Sequence, residues 1–269
     1  MNALPKTTIN LIANFLLVGE LSISRLCCVN LSEGMRFEQF RKASFSMCKS
    51  IQNINKFIIF ANNYKLYINL SKVTSFFQIL YFKNCNCKIK SINFDYDQND
   101  TFESKNLPPE LTSLTFNGGF NKELKQGMLP AGLTYLDLGE DFNQDLMQNV
   151  LSPNLKTLKL GMDFNSYIEE KALPTSLTKL VFGYEFNLKL KNNILPFGLK
   201  YLSFDNSFNQ EFDNGVLPVT LEYLELGIRY NRILNEQNLP VGLKELIIPE
   251  RYLGKFKFLV NTKIKYIIT

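Results

Sequence analysis

The chain has 269 residues, 45% of them hydrophobic, with 23 Phe and 12 Tyr but neither Trp nor His, and a net charge of +5 whose excess sits in residues 1–106. That length and apolar content suffice for one large core or two smaller ones, which excludes a disordered tail. The absence of histidine removes the Ser-His-Asp and Cys-His nucleophile systems, His-containing zinc sites and the neutral-pH proton switch, and so points to binding rather than catalysis.

Residues 1–50 read as helical. Leu11, Ile12, Phe15 and Leu16 recur at helical spacing, Leu21 to Val29 is a second apolar-periodic stretch, and Phe37, Phe40 and Phe45 fit a third helix. The richest apolar run, Leu11 to Val18, contains Asn14 and is far shorter than the roughly 18–20 residues that cross a bilayer. No basic-then-apolar leader with a clean cleavage site opens the chain, so a soluble, unprocessed protein without membrane association is expected. Cys27, Cys28, Cys48, Cys85 and Cys87 are an odd set without zinc-site spacing and read as buried thiols in a reducing compartment. The lysines of this basic part are dispersed singly, which argues against a nucleic-acid patch.

Residues 51–106 read as degenerate coils that cap a longer array beginning at Leu107. Ile89, Ile92 and Phe94 have the spacing i, i+3, i+5, and Phe77, Leu80 and Phe82 repeat it out of phase.

The dominant signal is a 22-residue period. Leu107, Leu129, Leu151, Leu173, Leu195, Leu217 and Leu239 mark position 0 of seven units without insertion. Position 1 is Pro except at Ser152, and positions 4 and 7 are always Leu. Position 9 runs from Phe116 to Ile248, and position 13 is Phe from Phe120 to Phe208, then Tyr230 and Tyr252. Position 14 is Asn from Asn121 to Asn231, then Leu253, and position 17 is apolar from Leu124 to Phe256. Apolar residues at 7 and 9 beside polar or variable ones at 6 and 8 predict a short strand with one inward face. Proline at position 1 lies outside the ladder, and Gly139, Gly161, Gly183 and Gly227 at position 10 suit a sharp exit from the strand. The Phe at position 13 predicts an internal aromatic column, and the Asn beside it can satisfy loop backbone groups of its own and the next coil. The remaining return path is too short for a helix with two loops. After the array, Ile264 and Ile267 restart the pattern one residue early, with Lys255, Lys257, Lys263 and Lys265 placed to discourage edge pairing.

The expected fold is α+β. A small helical N-terminal segment (1–50) and degenerate coils (51–106) precede a right-handed β solenoid of seven 22-residue, leucine-rich-like coils with an extended convex side (107–259), and a capping strand (260–269) ends the chain. The outward strand positions form the candidate partner-binding surface. Its residues are Tyr135, Asp137, Lys159, Lys179, Tyr201, Tyr223, Glu225 and Glu245, in which Lys179, Tyr201 and Tyr223 form a contiguous ladder and Asp137 and Lys159 make a pair. With no P-loop, dinucleotide fingerprint or nucleophile elbow, neither an enzyme nor a cofactor site is expected.

Written out, the unit L-P-x-x-L-x-x-L-x-F/L-G-x-x-F-N-x-x-L resembles the FNIP repeat, a relative of the leucine-rich repeat, most clearly at Leu195 to Leu202 and at Phe182 to Asn187. The first residues, with Leu4, Pro5, Ile12, Leu16, Leu21 and Leu26, resemble an F-box, although Lys6-Thr7-Thr8 stands where an acidic residue is usual and no Trp is available for the third helix. Together the resemblances imply a cytoplasmic substrate-recognition subunit (host cytoplasm if viral) that docks a Skp-type adaptor of a cullin-RING ubiquitin ligase. The alternative is a stand-alone interaction scaffold whose N-terminal helices only cover the first coil.

Overall fold

A three-residue strand with a single inward side chain cannot hold itself together, and pairing with the next coil supplies both the hydrogen-bond ladder and the missing contacts. The computed structural model describes residues 44–46, 67–73, 88–94, 107–252 and 262–267. The chain forms two compact units, 1–114 and 115–269.

In the first unit, strands β1 (Ser44–Ser46), β2 (Tyr67–Val73) and β3 (Lys88–Phe94) run parallel. Ile89, Ile92 and Phe94 are buried, and Lys90 O accepts from the backbone N–H and the hydroxyl of Thr112, one period downstream, at 3.0 and 2.9 Å. Two sequence expectations are corrected in this unit. Phe45 lies in β1, paired with Leu70, and not in a third helix; the alternation Ser-Phe-Ser has the two-residue period of a strand. Leu70 pairs with Ile92, so the preceding coil is in phase through Leu70 and not displaced to Leu80. β-bulges between Ile68 and Asn69 and between Leu70 and Val73 break the alternation that would have revealed it. The rest of segment 1–50, the five cysteines, and Phe77, Leu80 and Phe82 lie outside the described residues.

The array continues as β4 (Ser113–Phe116), β5 (Tyr135–Asp137), β6 (Thr157–Lys159), β7 (Lys179–Val181), β8 (Tyr201–Ser203), β9 (Tyr223–Glu225), β10 (Glu245–Pro249) and β11 (Lys263–Ile267). From β5 onward each strand pairs parallel with the next, and Leu136, Leu158, Leu180, Leu202, Leu224 and Leu246 stand opposite one another. Each of these leucines is fully buried while its neighbours at positions 6 and 8 face outward, as the alternation requires. The described return path consists of turns and extended chain with one parallel bridge, Leu146 to Ile168, and a single 3-10 turn at Glu250–Tyr252. This is a parallel β solenoid of about seven coils with 22-residue spacing.

Three devices hold coil to coil. The position-1 carbonyl, from Pro130 to Pro240 and including Ser152, accepts from the position-4 Leu N–H at 3.0–3.1 Å, forming a turn before every strand. The aromatic rings at position 13 stack in one column, Phe120, Phe142, Phe164, Phe186, Phe208, Tyr230 and Tyr252, with centroids 5.9–6.1 Å apart. Alongside, the side-chain oxygen of each Asn at position 14 accepts from the backbone N–H of the next coil's Asn, from Asn121 through Asn231, at 2.9–3.0 Å. The coils come so close behind the strands that a Cβ on Gly161 would overlap the carbonyl oxygen of Gly139, and one on Gly183 that of Gly161.

The C-terminal strand also departs from expectation. Leu246 pairs with Ile264 and Ile248 with Tyr266, so Ile264 takes position 7 and Tyr266 position 9 of a coil shortened to 18 residues. Among the other expected edge charges, Lys263 and Lys265 lie on this strand, whereas Lys255 and Lys257 fall outside the described residues.

Replacing Asn165 by Ala removes the acceptor for Asn187 N–H and should cost about 1 kcal/mol in urea unfolding. Asn165→Asp keeps an acceptor and should cost less; equal losses would remove the ladder's role. Tyr230 is fully buried and its hydroxyl has no hydrogen-bond partner. Tyr230→Phe should therefore stabilise the fold by about 1 kcal/mol, and a loss of stability on the same urea curve would contradict this.

Candidate partner-binding face

The parallel register turns the two outward positions of each strand into rows that run along the array. Position 6 forms the row Tyr135, Thr157, Lys179, Tyr201, Tyr223, Glu245 and Lys263, and position 8 the row Asp137, Lys159, Val181, Ser203, Glu225, Ile247 and Lys265. All eight residues expected to form the surface are therefore on one face. They divide into three local clusters.

In the first cluster the Tyr135 hydroxyl donates to Asp137 Oδ2 at 3.2 Å, and Lys159 Nζ lies 3.4 Å from the same oxygen. Asp137 Oδ1 accepts from Gly139 N–H at 3.3 Å, which anchors the carboxylate at the strand exit. The hydrogen bond to Tyr135 holds the Lys159 ammonium above its ordinary pKa, with the Asp137 charge adding to it and burial opposing it.

The second cluster is a stack. Lys179 Nζ sits 3.9 Å from the Tyr201 ring centroid, and the Tyr201 and Tyr223 rings lie 4.0 Å apart and within 8° of parallel. The Tyr223 hydroxyl donates to Glu225 Oε2 at 3.1 Å, and the Ser203 hydroxyl donates to the same oxygen at 2.9 Å. Burial, followed by the hydrogen bond with Tyr201 and the Glu225 charge, pushes the Tyr223 phenol far above its ordinary pKa. In the third cluster Glu245 pairs with Lys265 of the terminal strand, so that lysine bonds across the sheet besides charging its edge.

Thr157 and Val181 separate the first two clusters. Among the described residues no group of three or more Cys, Asp or Glu side chains could hold a metal ion, and no helix is long and apolar enough to cross a membrane. What the face offers instead is flat aromatic area with charges already fixed in place. The expected adaptor-binding residues Leu4, Pro5, Ile12, Leu16, Leu21 and Leu26 lie outside the described residues.

Two features of the coils are absent from the sequence-based expectations. Position 20 takes a left-handed backbone at Gly127, Asn149, Lys171, Asn193 and Gly215, and the recurrence of Gly and Asn there is the signal that marks it. At position 5, Glu222 is clamped between Lys200 at 3.2 Å and Lys244 at 2.6 Å, three charges of alternating sign one period apart whose meaning is clear only once the coils are stacked.

Comparison with known proteins agrees with this architecture. A family model described as FNIP Repeat matches residues 96–141, 142–185, 164–207 and 186–229. A crystal structure described as that of CroV588, a novel circular LRR protein, is 36% identical with a TM-score of 0.57, over 66% of this chain and 25% of that one. The chain thus spans about a quarter of that protein's length. No curated protein matches the chain.

The tyrosines supply a pH signature. The native state holds Tyr223 protonated, whereas the unfolded chain releases that proton near pH 10. Stability contributed by this phenol is complete below about pH 10 and declines as pH rises beyond it. Urea midpoints measured from pH 9 to 11.5 should fall, and Tyr223→Phe should flatten the decline; an identical slope in the variant would contradict the assignment.

Proposed function

The chain is an FNIP repeat protein, and from that premise we propose that it is a protein-interaction scaffold whose outward strand face receives the partner. The observation that supports this most is the stack of Lys179, Tyr201 and Tyr223, tied at its end to Glu225 and Ser203. Tyrosines presented on a rigid frame contribute large contact area at low ordering cost, and fixing them before binding lowers that cost further. The Tyr135, Asp137 and Lys159 cluster is a second polar anchor on the same face. A circular leucine-rich-repeat neighbour at 36% identity supports the scaffold reading, since a repeat array of this kind is an extended presenting surface.

The finer reading makes the scaffold a substrate-recognition subunit of a cullin-RING ubiquitin ligase. Its support is the F-box resemblance at Leu4-Pro5, Ile12, Leu16, Leu21 and Leu26. In the competing reading the same segment only covers the first coil, and the array works as a stand-alone scaffold in the cytoplasm.

A protein captured by the intact chain should bind the double variant Tyr201→Ala, Tyr223→Ala at least about tenfold more weakly in calorimetry. Unchanged affinity would move the interface off this face. The ligase role predicts that a Skp-type adaptor co-purifies with the full chain and not with a chain starting at Ile51, and an adaptor found with neither would remove it.

A further inference from the structure

A second surface lies at the turn before the strands. Position 2 of each coil, one residue past the position-1 Pro or Ser, is exposed throughout the second unit: Ala131, Pro153, Thr175, Phe197, Val219 and Val241. Exposed turn positions favour Gly, Asn, Asp and Ser. Here the last three coils instead present Phe197, Val219 and Val241, which are 72%, 64% and 94% exposed. Beside them stand Gly198, Thr220 and Gly242, so no long side chain shields the row. A contiguous exposed apolar row of this kind marks an interaction surface.

The flanking charge narrows what can cover it. Position 5 of the same three coils carries Lys200, Glu222 and Lys244, with the carboxylate bonded to both lysines. The hydrogen bond from Lys244, then that from Lys200, holds Glu222 below the usual carboxylate range. This row keeps one net positive charge, and its lysines are more open to solvent than the carboxylate between them. An acidic flank on the partner complements it.

The spacing narrows it further. Successive coils are about 4.8 Å apart, and successive turns of an α-helix about 5.4 Å apart. Over the two steps from Phe197 to Val241 a helix lying along the stacking direction drifts by only about 1.2 Å. An extended strand in the same place repeats its same-face side chains about every 6.6–6.8 Å and loses register at the first step.

We propose that the Phe197, Val219 and Val241 ridge docks an amphipathic α-helix of a partner protein, whose apolar stripe lies on the ridge and whose acidic flank faces Lys200 and Lys244. This surface is separate from the strand face and stands or falls independently of it.

The test pans the full chain against a displayed library of 18-residue Ala/Gln-based helices, with one face drawn from Leu, Met and Ser and its flanks from Glu and Lys. Enriched helices should carry apolar residues at i, i+3 or i+4 and i+7 with Glu on one flank. They should bind Val219→Asp and Lys244→Glu at least about tenfold more weakly and bind Tyr201→Ala unchanged. Because Val219 and Lys244 are exposed, both variants should keep the wild-type melting temperature. The proposal is overturned by no enrichment, by enriched helices lacking the apolar stripe, or by binding lost on Tyr201→Ala and indifferent to Val219→Asp. Sedimentation velocity provides the remaining outcome: a wild-type dimer that Val219→Asp dissociates would assign the ridge to a second copy and overturn the helix.

Discussion

Everything in the array depends on one constraint: the backbone of each return path is completed by the neighbouring coil rather than by itself. A 22-residue loop without helix or hairpin leaves backbone groups with no partner inside their own coil, and a buried unpaired group costs about 1–3 kcal/mol. The Asn at position 14 resolves this on one side of the coil by accepting from the next coil's N–H, while the Phe beside it fills the interior between the two. Because the donor and acceptor belong to the same position in successive coils, an inserted residue would break both the bond and the ring stack. That explains why the period holds at 22 for as long as the Asn is present. Past Asn231 the position-14 residue is Leu253, and there the register between β10 and β11 closes after 18 residues.

The same constraint shapes the outward face. Strict register places chemically chosen side chains about 4.8 Å apart, close enough for ring stacking, cation–aromatic contact and alternating ion pairs. The stack of Lys179, Tyr201 and Tyr223 and the clamp of Lys200, Glu222 and Lys244 are the same device in aromatic and ionic form. The exposed ion pairs contribute little stability individually. Their consequence is organisation, because side chains already ordered by their neighbours lose less freedom when a partner arrives.

The periodic part of the fold is legible because it repeats: positions 7, 9, 13 and 14 report burial, stacking and capping directly from Leu, Phe and Asn. The ends are not. The bulged pairing of β2 with β3 hides Leu70 from any fixed template, and β1 is only three residues long, so Phe45 also fits a helical spacing with Phe37 and Phe40. A template of 22 residues assigns Ile264 to position 4, whereas the coil that holds it has 18. On the face, sequence spacing identifies which residues share a row, and the structure adds which of them touch. The ridge is hidden in the sequence because Phe197, Val219 and Val241 are ordinary apolar side chains until their exposure is known.

The most direct test of coil-to-coil completion is native-state amide hydrogen exchange at Asn143, Asn165, Asn187, Asn209 and Asn231. Their side chains are surface groups, but each backbone N–H is bonded to the preceding coil. They should be protected to the same degree as strand amides such as that of Leu158 and open only with the array as a whole. Exchange at the rate of unprotected surface loops would show that the ladder does not hold the coils together.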